Sequence, residues 1–228
     1  MRFPTESFGP EVPEHQRTAF EAGWDWIASP SGAWTGAQKV AMLEVARAAE
    51  PRPLWDRRPD GIDHLATGPD LETGLSPLIV DTVERVAVEA GAIERPWAEA
   101  VIDELGDVAY AELVAVVAIV VSTDRACGLL GRPVEPPPEP MDGAPTGERA
   151  ETTAELGAYL PIAAGFPGAH IAKSLSIAPT ANLRRLGIVR ALYSGTRFGE
   201  LRWDDGALDR PQVELVAART SALNECFY

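Results

Sequence analysis

The sequence predicts an all-α protein, on three observations. Its β-branched residues recur at helical rather than alternating spacing. No Asn-Gly or Asp-Gly pair joins two alternating runs, so Asp60-Gly61, Asp142-Gly143 and Asp205-Gly206 stand as turns between helices. Several apolar, Ala-rich stretches also open on a residue that can cap a helix.

Taken in order, helices are expected over 13–27, 35–50, 77–90, 96–105 and 107–130. Thr35 and Gln38 form a capping box for the second: the hydroxyl accepts from a free amide three residues on, and the glutamine reaches back. Ser76 followed by Pro77 opens the third, because proline lacks an amide that the first turn cannot use anyway. In the fifth, Leu113 to Val121 is a run of nine apolar residues bracketed by Asp107, Glu112 and Asp124. That is far below the ~20 that span a bilayer and reads as a buried helix. Gly131 to Gly147 then carries six prolines in seventeen residues, which rules out helix or interior strand and predicts an extended surface connection. Helices over 153–163, 168–176, 180–194 and 209–223 follow. The chain therefore divides into an N-terminal half, 1–131, a Pro-rich linker, 132–147, and a C-terminal half, 148–228.

Composition narrows the function classes. With 34 acidic against 20 basic residues the net charge is -14, and no long basic patch appears. Nucleic acid and anionic membranes are excluded as partners, since phosphate binding needs clustered Lys and Arg. The first thirty residues hold prolines and acids where a signal peptide needs an apolar run. Cys127 and Cys226 give no disulfide framework, so a reducing cytoplasm is the expected setting.

The C-terminal segment, DRPQVELVAARTSALNECFY, carries the chemistry. Asp209 can cap a helix, Pro211 suits its first turn, and Gln212 completes a capping box. On one straight helix Glu214 and Cys226 would lie about 18 Å and roughly 120° apart, and could not cooperate. A break near Asn224, a residue tolerant of left-handed backbone, would instead place Cys226 in the first turn of a new helix, where exposed amides favour a thiolate.

The run ELVAARTSALNECFY resembles the signature of the alkylhydroperoxidase D-like (carboxymuconolactone decarboxylase-like) family, a glutamate followed by eleven residues, a CxxC pair and a nearby histidine. Glu214 and Cys226 match the first two elements. The second cysteine would follow Tyr228 and the histidine would come a turn later, so the 228 residues carry half the motif and are expected to be cut, or decayed, inside their own site. The resemblance implies a helical bundle of that type. It makes Cys226 the resolving thiol, the missing cysteine the attacking one, and Glu214 a partly buried proton relay, with Tyr228 beside the peroxide pocket. It also implies a peroxide substrate, a dithiol protein as reductant, homo-oligomers, and no flavin, haem, metal or other cofactor.

Trp34 to Trp55 resembles the terminal segment in its capped start and its Ala-Arg pair. Aligning Ala46-Arg47 with Ala218-Arg219 sets Met42 and Leu54 where Glu214 and Cys226 stand, whereas aligning Gln38 with Gln212 sets Val40 and Arg52 there. Neither register keeps the chemistry: either amphipathic Ala-rich helices resemble one another by chance, or the chain resembles a tandem form of the family whose first half has lost its dithiol. The intact form is expected to be a thiol peroxidase or thiol-disulfide oxidoreductase, inactive with one thiol. The rivals are a non-enzymatic helical subunit of an oligomer and a decarboxylase or isomerase on the same scaffold.

The remaining candidates read as structure. Cys127 is expected to pack in the core, Asp124-Arg125 to form a surface ion pair, Asp204-Asp205 to lie in a loop, and the six tryptophans to anchor helices. His15, His64 and His170 lack a second ligand at helical spacing, and no GxGxxG or GxxxxGK[ST] is present.

Overall fold

The computed structural model describes residues 12–53, 56, 58–65, 73–193 and 208–223. Its architecture is all-α, as the helical spacing predicts. Among the described residues, five α-helices form the N-terminal part: α1 (Glu14–Ala28), α2 (Gly36–Ala48), α3 (Pro77–Val88), α4 (Arg95–Leu105) and α5 (Asp107–Leu129), with a 3-10 turn at Ala90–Ala92. The caps expected from sequence are present. Gln38 N donates to Thr35 Oγ1 at 3.2 Å while Thr35 N donates to Gln38 Oε1 at 3.0 Å, and Ile79 N donates to Ser76 Oγ at 3.3 Å.

Helix α5 is the axis of the fold. Its Leu113, Val116, Val117, Ile119 and Val120 are each at most 1% exposed, and α1, α2, α3 and α4 all pack on it. Helix α1 contributes Phe20, Trp24 and Ile27, spaced four and three apart so that one face meets the core. Between α4 and α5 the chain turns through 113° at Gly106, whose φ of 94° is a conformation that side-chain-bearing residues rarely adopt. Among the described residues no single helix is long and apolar enough to cross a membrane.

From Gly131 to Gly147 the chain forms neither helix nor strand, as six prolines require. It is pinned to the helices along its length: Trp24 Nε1 donates to Pro136 O (3.0 Å), Arg47 to Glu135 O (2.7 Å), Met141 N to Ala28 O (2.8 Å) and Thr146 N to Ser31 O (2.7 Å).

The helix expected over 153–163 does not form. Instead β1 (Thr153–Ala154) pairs antiparallel with β2 (Ile162–Ala163), Thr153 opposite Ala163 and Ala154 opposite Ile162. Gly157 at φ 75° and Pro161 break the helical path, while Leu160 and Ile162 alternate inward at 4% and 6% exposure. The helix expected over 168–176 shrinks to α6 (His170–Lys173), after which Ser176 Oγ accepts from Ala163 N at 2.9 Å. Helix α7 (Pro179–Tyr193) packs against both α1 and α5, and Ile177, Ala181 and Ile188 join the same hydrophobic cluster as the N-terminal helices. Helix α8 (Arg210–Leu223) contains no buried residue.

Candidate functional site

The proposed thiol site begins at α8. Its phase is fixed by a reciprocal cap: Gln212 N donates to Asp209 Oδ1 (3.0 Å) and Asp209 N to Gln212 Oε1 (2.9 Å). Glu214 follows in the second turn, its side chain 45% exposed. Tyr193, at the end of α7, donates its hydroxyl to Glu214 Oε2 at 3.0 Å, and Arg210 Nε lies 3.7 Å from Oε1. Partial burial pushes the Tyr193 phenol pKa up, and the bond to the neighbouring Glu214 carboxylate adds to it. The phenol therefore stays a donor that orients one carboxylate oxygen. Cys226, Tyr228 and the expected break near Asn224 lie outside the described residues. No sequence signal marked Tyr193, because it sits twenty-one positions from Glu214.

Three further polar constellations, two buried and one partly buried, rest on partners distant in sequence. Glu112, on α5 and 0% exposed, accepts from Ser31 Oγ (2.9 Å), Gly32 N (2.8 Å) and Ala33 N (2.9 Å). It closes the tight turn that feeds α2, and a β-carbon on Gly32 would meet Glu148 O at 2.5 Å. Lys39, also 0% exposed, donates to the carbonyl of Trp26 and sits 3.9 Å from the centroid of that indole. Burial pulls its pKa down to about 7, against an opposing pull from the Glu112 charge. Both side chains are buried and spend their hydrogen bonds on the surrounding backbone and Ser31, so this pair holds the entry to α2 in place.

Arg58, in the α2–α3 connection, forms the second. It contacts Asp81 (2.7 Å), Glu84 (2.6 Å) and Glu89 (3.0 Å), and Arg85 bonds Asp81 (2.7 Å) and Pro59 O (2.7 Å). Burial pulls the Arg58 pKa down, but the bonds to Glu84 and Asp81 more than reverse this and leave it raised. The result is a clamp that ties the connection to α3.

The third joins α2 to α5. Asp124 pairs with Arg47, at 2.7 Å through both oxygens, rather than with the adjacent Arg125 as the sequence suggested. One turn on, Cys127 is 0% exposed, and burial followed by the Asp124 charge pushes its thiol pKa up, the reverse of what a nucleophilic thiol needs.

Four tryptophans, Trp24, Trp26, Trp34 and Trp97, are buried, while Trp55 and Trp203 lie outside the described residues. Among the described residues no three His, Cys, Asp or Glu side chains converge as a metal site would need. Comparison of the chain with protein-family models, with characterised proteins and with solved structures yields no match.

Proposed function

We propose that the C-terminal end of this chain is the first half of an alkylhydroperoxidase D-like thiol site, carried on a helical scaffold whose N-terminal half has no dithiol. The observation that carries the reading is the spacing of Glu214 and Cys226 behind a capped helix start. In the complete reaction an attacking thiolate takes one peroxide oxygen, becoming a sulfenic acid and releasing an alcohol. The second thiol then displaces water to form a disulfide, and a partner dithiol protein reduces it. Glu214, oriented by Tyr193, supplies or removes the proton. The 228 residues hold one of the two thiols of that cycle, and the complete reaction belongs to a cytoplasmic homo-oligomer.

Peroxide consumption with dithiothreitol tests this. The 228-residue chain is expected to show no multiple turnover. Lengthening it by a cysteine directly after Tyr228 and a histidine about four residues later is expected to confer turnover. Cys226→Ser abolishes that turnover and Glu214→Gln lowers it about 100-fold. Sustained Cys226-dependent turnover by the original chain would overturn the half-site reading, and an inert lengthened chain would overturn the thiol reading itself.

A second reading, a helical subunit without catalysis, is favoured by the apolar side chains that α8 leaves in solvent: Leu215 at 72%, Val216 at 58% and Leu223 at 65% exposure. Sedimentation analysis separates the two when combined with the turnover assay, since this reading requires self-association and an inert lengthened chain.

A further inference from the structure

Four cationic side chains are buried among the described residues: Lys39, Arg58, Arg85 and Arg185. The first three are compensated. Lys39 has a carbonyl, an indole face and the charge of Glu112, and Arg58 and Arg85 have carboxylates at 3.0 Å or less. Arg185, on α7 and 8% exposed, differs. Its Nη2 donates to Ile171 O (2.8 Å) and to Asn182 Oδ1 (2.8 Å), both neutral acceptors. Its Nε is shut off from water with no acceptor at all. Burying a guanidinium without an opposing charge is costly, and here burial alone acts on its pKa, pulling it down.

The surroundings share this character. Between Glu155 and Glu200 there is no Asp or Glu but five Lys or Arg, within a chain of net charge -14. Of these, Lys173 lies on α6 and Arg184 and Arg190 on α7, the helix that carries Arg185, and none has an ion-pair partner among the described residues. An arginine fork matches the two oxygens of a carboxylate or phosphate, and a single such anion satisfies donors that neutral carbonyls leave over.

We propose that Arg185 is the anchor of an oxyanion-binding site at the junction of α6 and α7, which takes the carboxylate or phosphate group of a small molecule. The buried guanidinium supplies affinity and orientation. The exposed Arg184 and Arg190 supply a local positive field that draws anions to an otherwise acidic protein. The site is independent of the thiol chemistry, since it uses neither Glu214 nor Cys226.

Calorimetric titration of the full chain with inorganic phosphate and, in parallel, with succinate tests it, ionic strength being held constant with chloride. One saturable site is expected for at least one probe, and whichever binds more tightly identifies the group recognised. Arg185→Lys keeps the charge but loses the fork, and is expected to weaken binding at least about tenfold. Arg184→Gln is expected to change it less than about threefold. Because Arg185 also holds α6, a measurement without mutation accompanies these: the Arg185 Nε–H resonance of the unaltered chain shifts saturably with the probe. A flat titration with both probes overturns the proposal. So does an unmoved Arg185 Nε–H, or binding that survives Arg185→Lys and is lost in Arg184→Gln.

Discussion

Helices α2 and α8 begin in the same way and end in opposite environments. Each opens on a reciprocal capping box with glutamine at the third helical position, Thr35 with Gln38 and Asp209 with Gln212. Yet α2 buries Lys39, Met42, Leu43, Val45 and Ala46 against α5 and α3, while α8 buries nothing. The difference separates two causes that a sequence blends together. Where a helix starts is decided within four residues by amide donors that need acceptors. How much that helix contributes to stability is decided by what stands opposite its apolar stripe.

The largest effects should come from the frame around α2. Glu112→Ala leaves the Ser31 hydroxyl and the Gly32 and Ala33 amides without their acceptor, and is expected to cost ~3–5 kcal/mol in urea denaturation. Glu112→Gln should not rescue it, because an amide nitrogen replaces an oxygen where only donors point. Met42→Ala, which opens a hole under a 0% exposed side chain, is expected to cost about 2–5 kcal/mol. Val216→Ala on α8 should stay within about 0.5 kcal/mol. Equal losses at Met42 and Val216 would show that α8 is buried in solution, as an oligomer interface would make it.

Lys39 gives α2 a pH signature that α8 lacks. Its folded pKa of about 7 lies below the ordinary 10.5, so between these values the unfolded chain holds a proton that the folded chain has released. Stability contributed at this position therefore rises with pH across that window, and the cost of burying the charge is greatest below pH 7. Relative to Lys39→Met, the wild-type chain should gain about 1 kcal/mol per pH unit between pH 7 and 10, read from urea midpoints at each pH. A constant difference would mean that Lys39 keeps its proton when folded, held by the opposing pull of Glu112.

The same contrast between local and distant causes decides what the sequence reveals. Thr35, Ser76, Asp209 and the prolines of 131–147 act on neighbours, so helix starts and the extended connection could be read directly. Glu112 and Lys39 could not be read, since the partners of Glu112 lie about eighty residues away and Lys39 occupies an apolar stripe that pattern alone assigns to a hydrophobe. Asp124 looked paired with its neighbour Arg125, yet its partner Arg47 comes from 77 positions earlier. A helix is expected over 153–163 but a hairpin forms, because Gly157 and Pro161, two isolated breaks within the stretch, decide the local path. Glu214 is singled out from sequence by spacing alone, whereas its hydrogen bond from Tyr193 required the fold to bring the end of α7 beside α8.

The smallest effect is the sharpest test of the comparison, because it changes the same chemistry in both helices. Thr35→Ala and Asp209→Ala each remove an acceptor for one first-turn amide, and each weakens its helix by about 1 kcal/mol. The readouts should differ. In α2 the cap is coupled to a buried face, so its loss should lower the global unfolding midpoint by that amount. In α8 no buried face transmits the change, so Asp209→Ala should leave the midpoint unmoved and appear only as faster amide hydrogen exchange within 210–223. If Asp209→Ala instead lowers the global midpoint as Thr35→Ala does, α8 folds as part of the cooperative core, and its exposed Leu215, Val216 and Leu223 face a partner in solution.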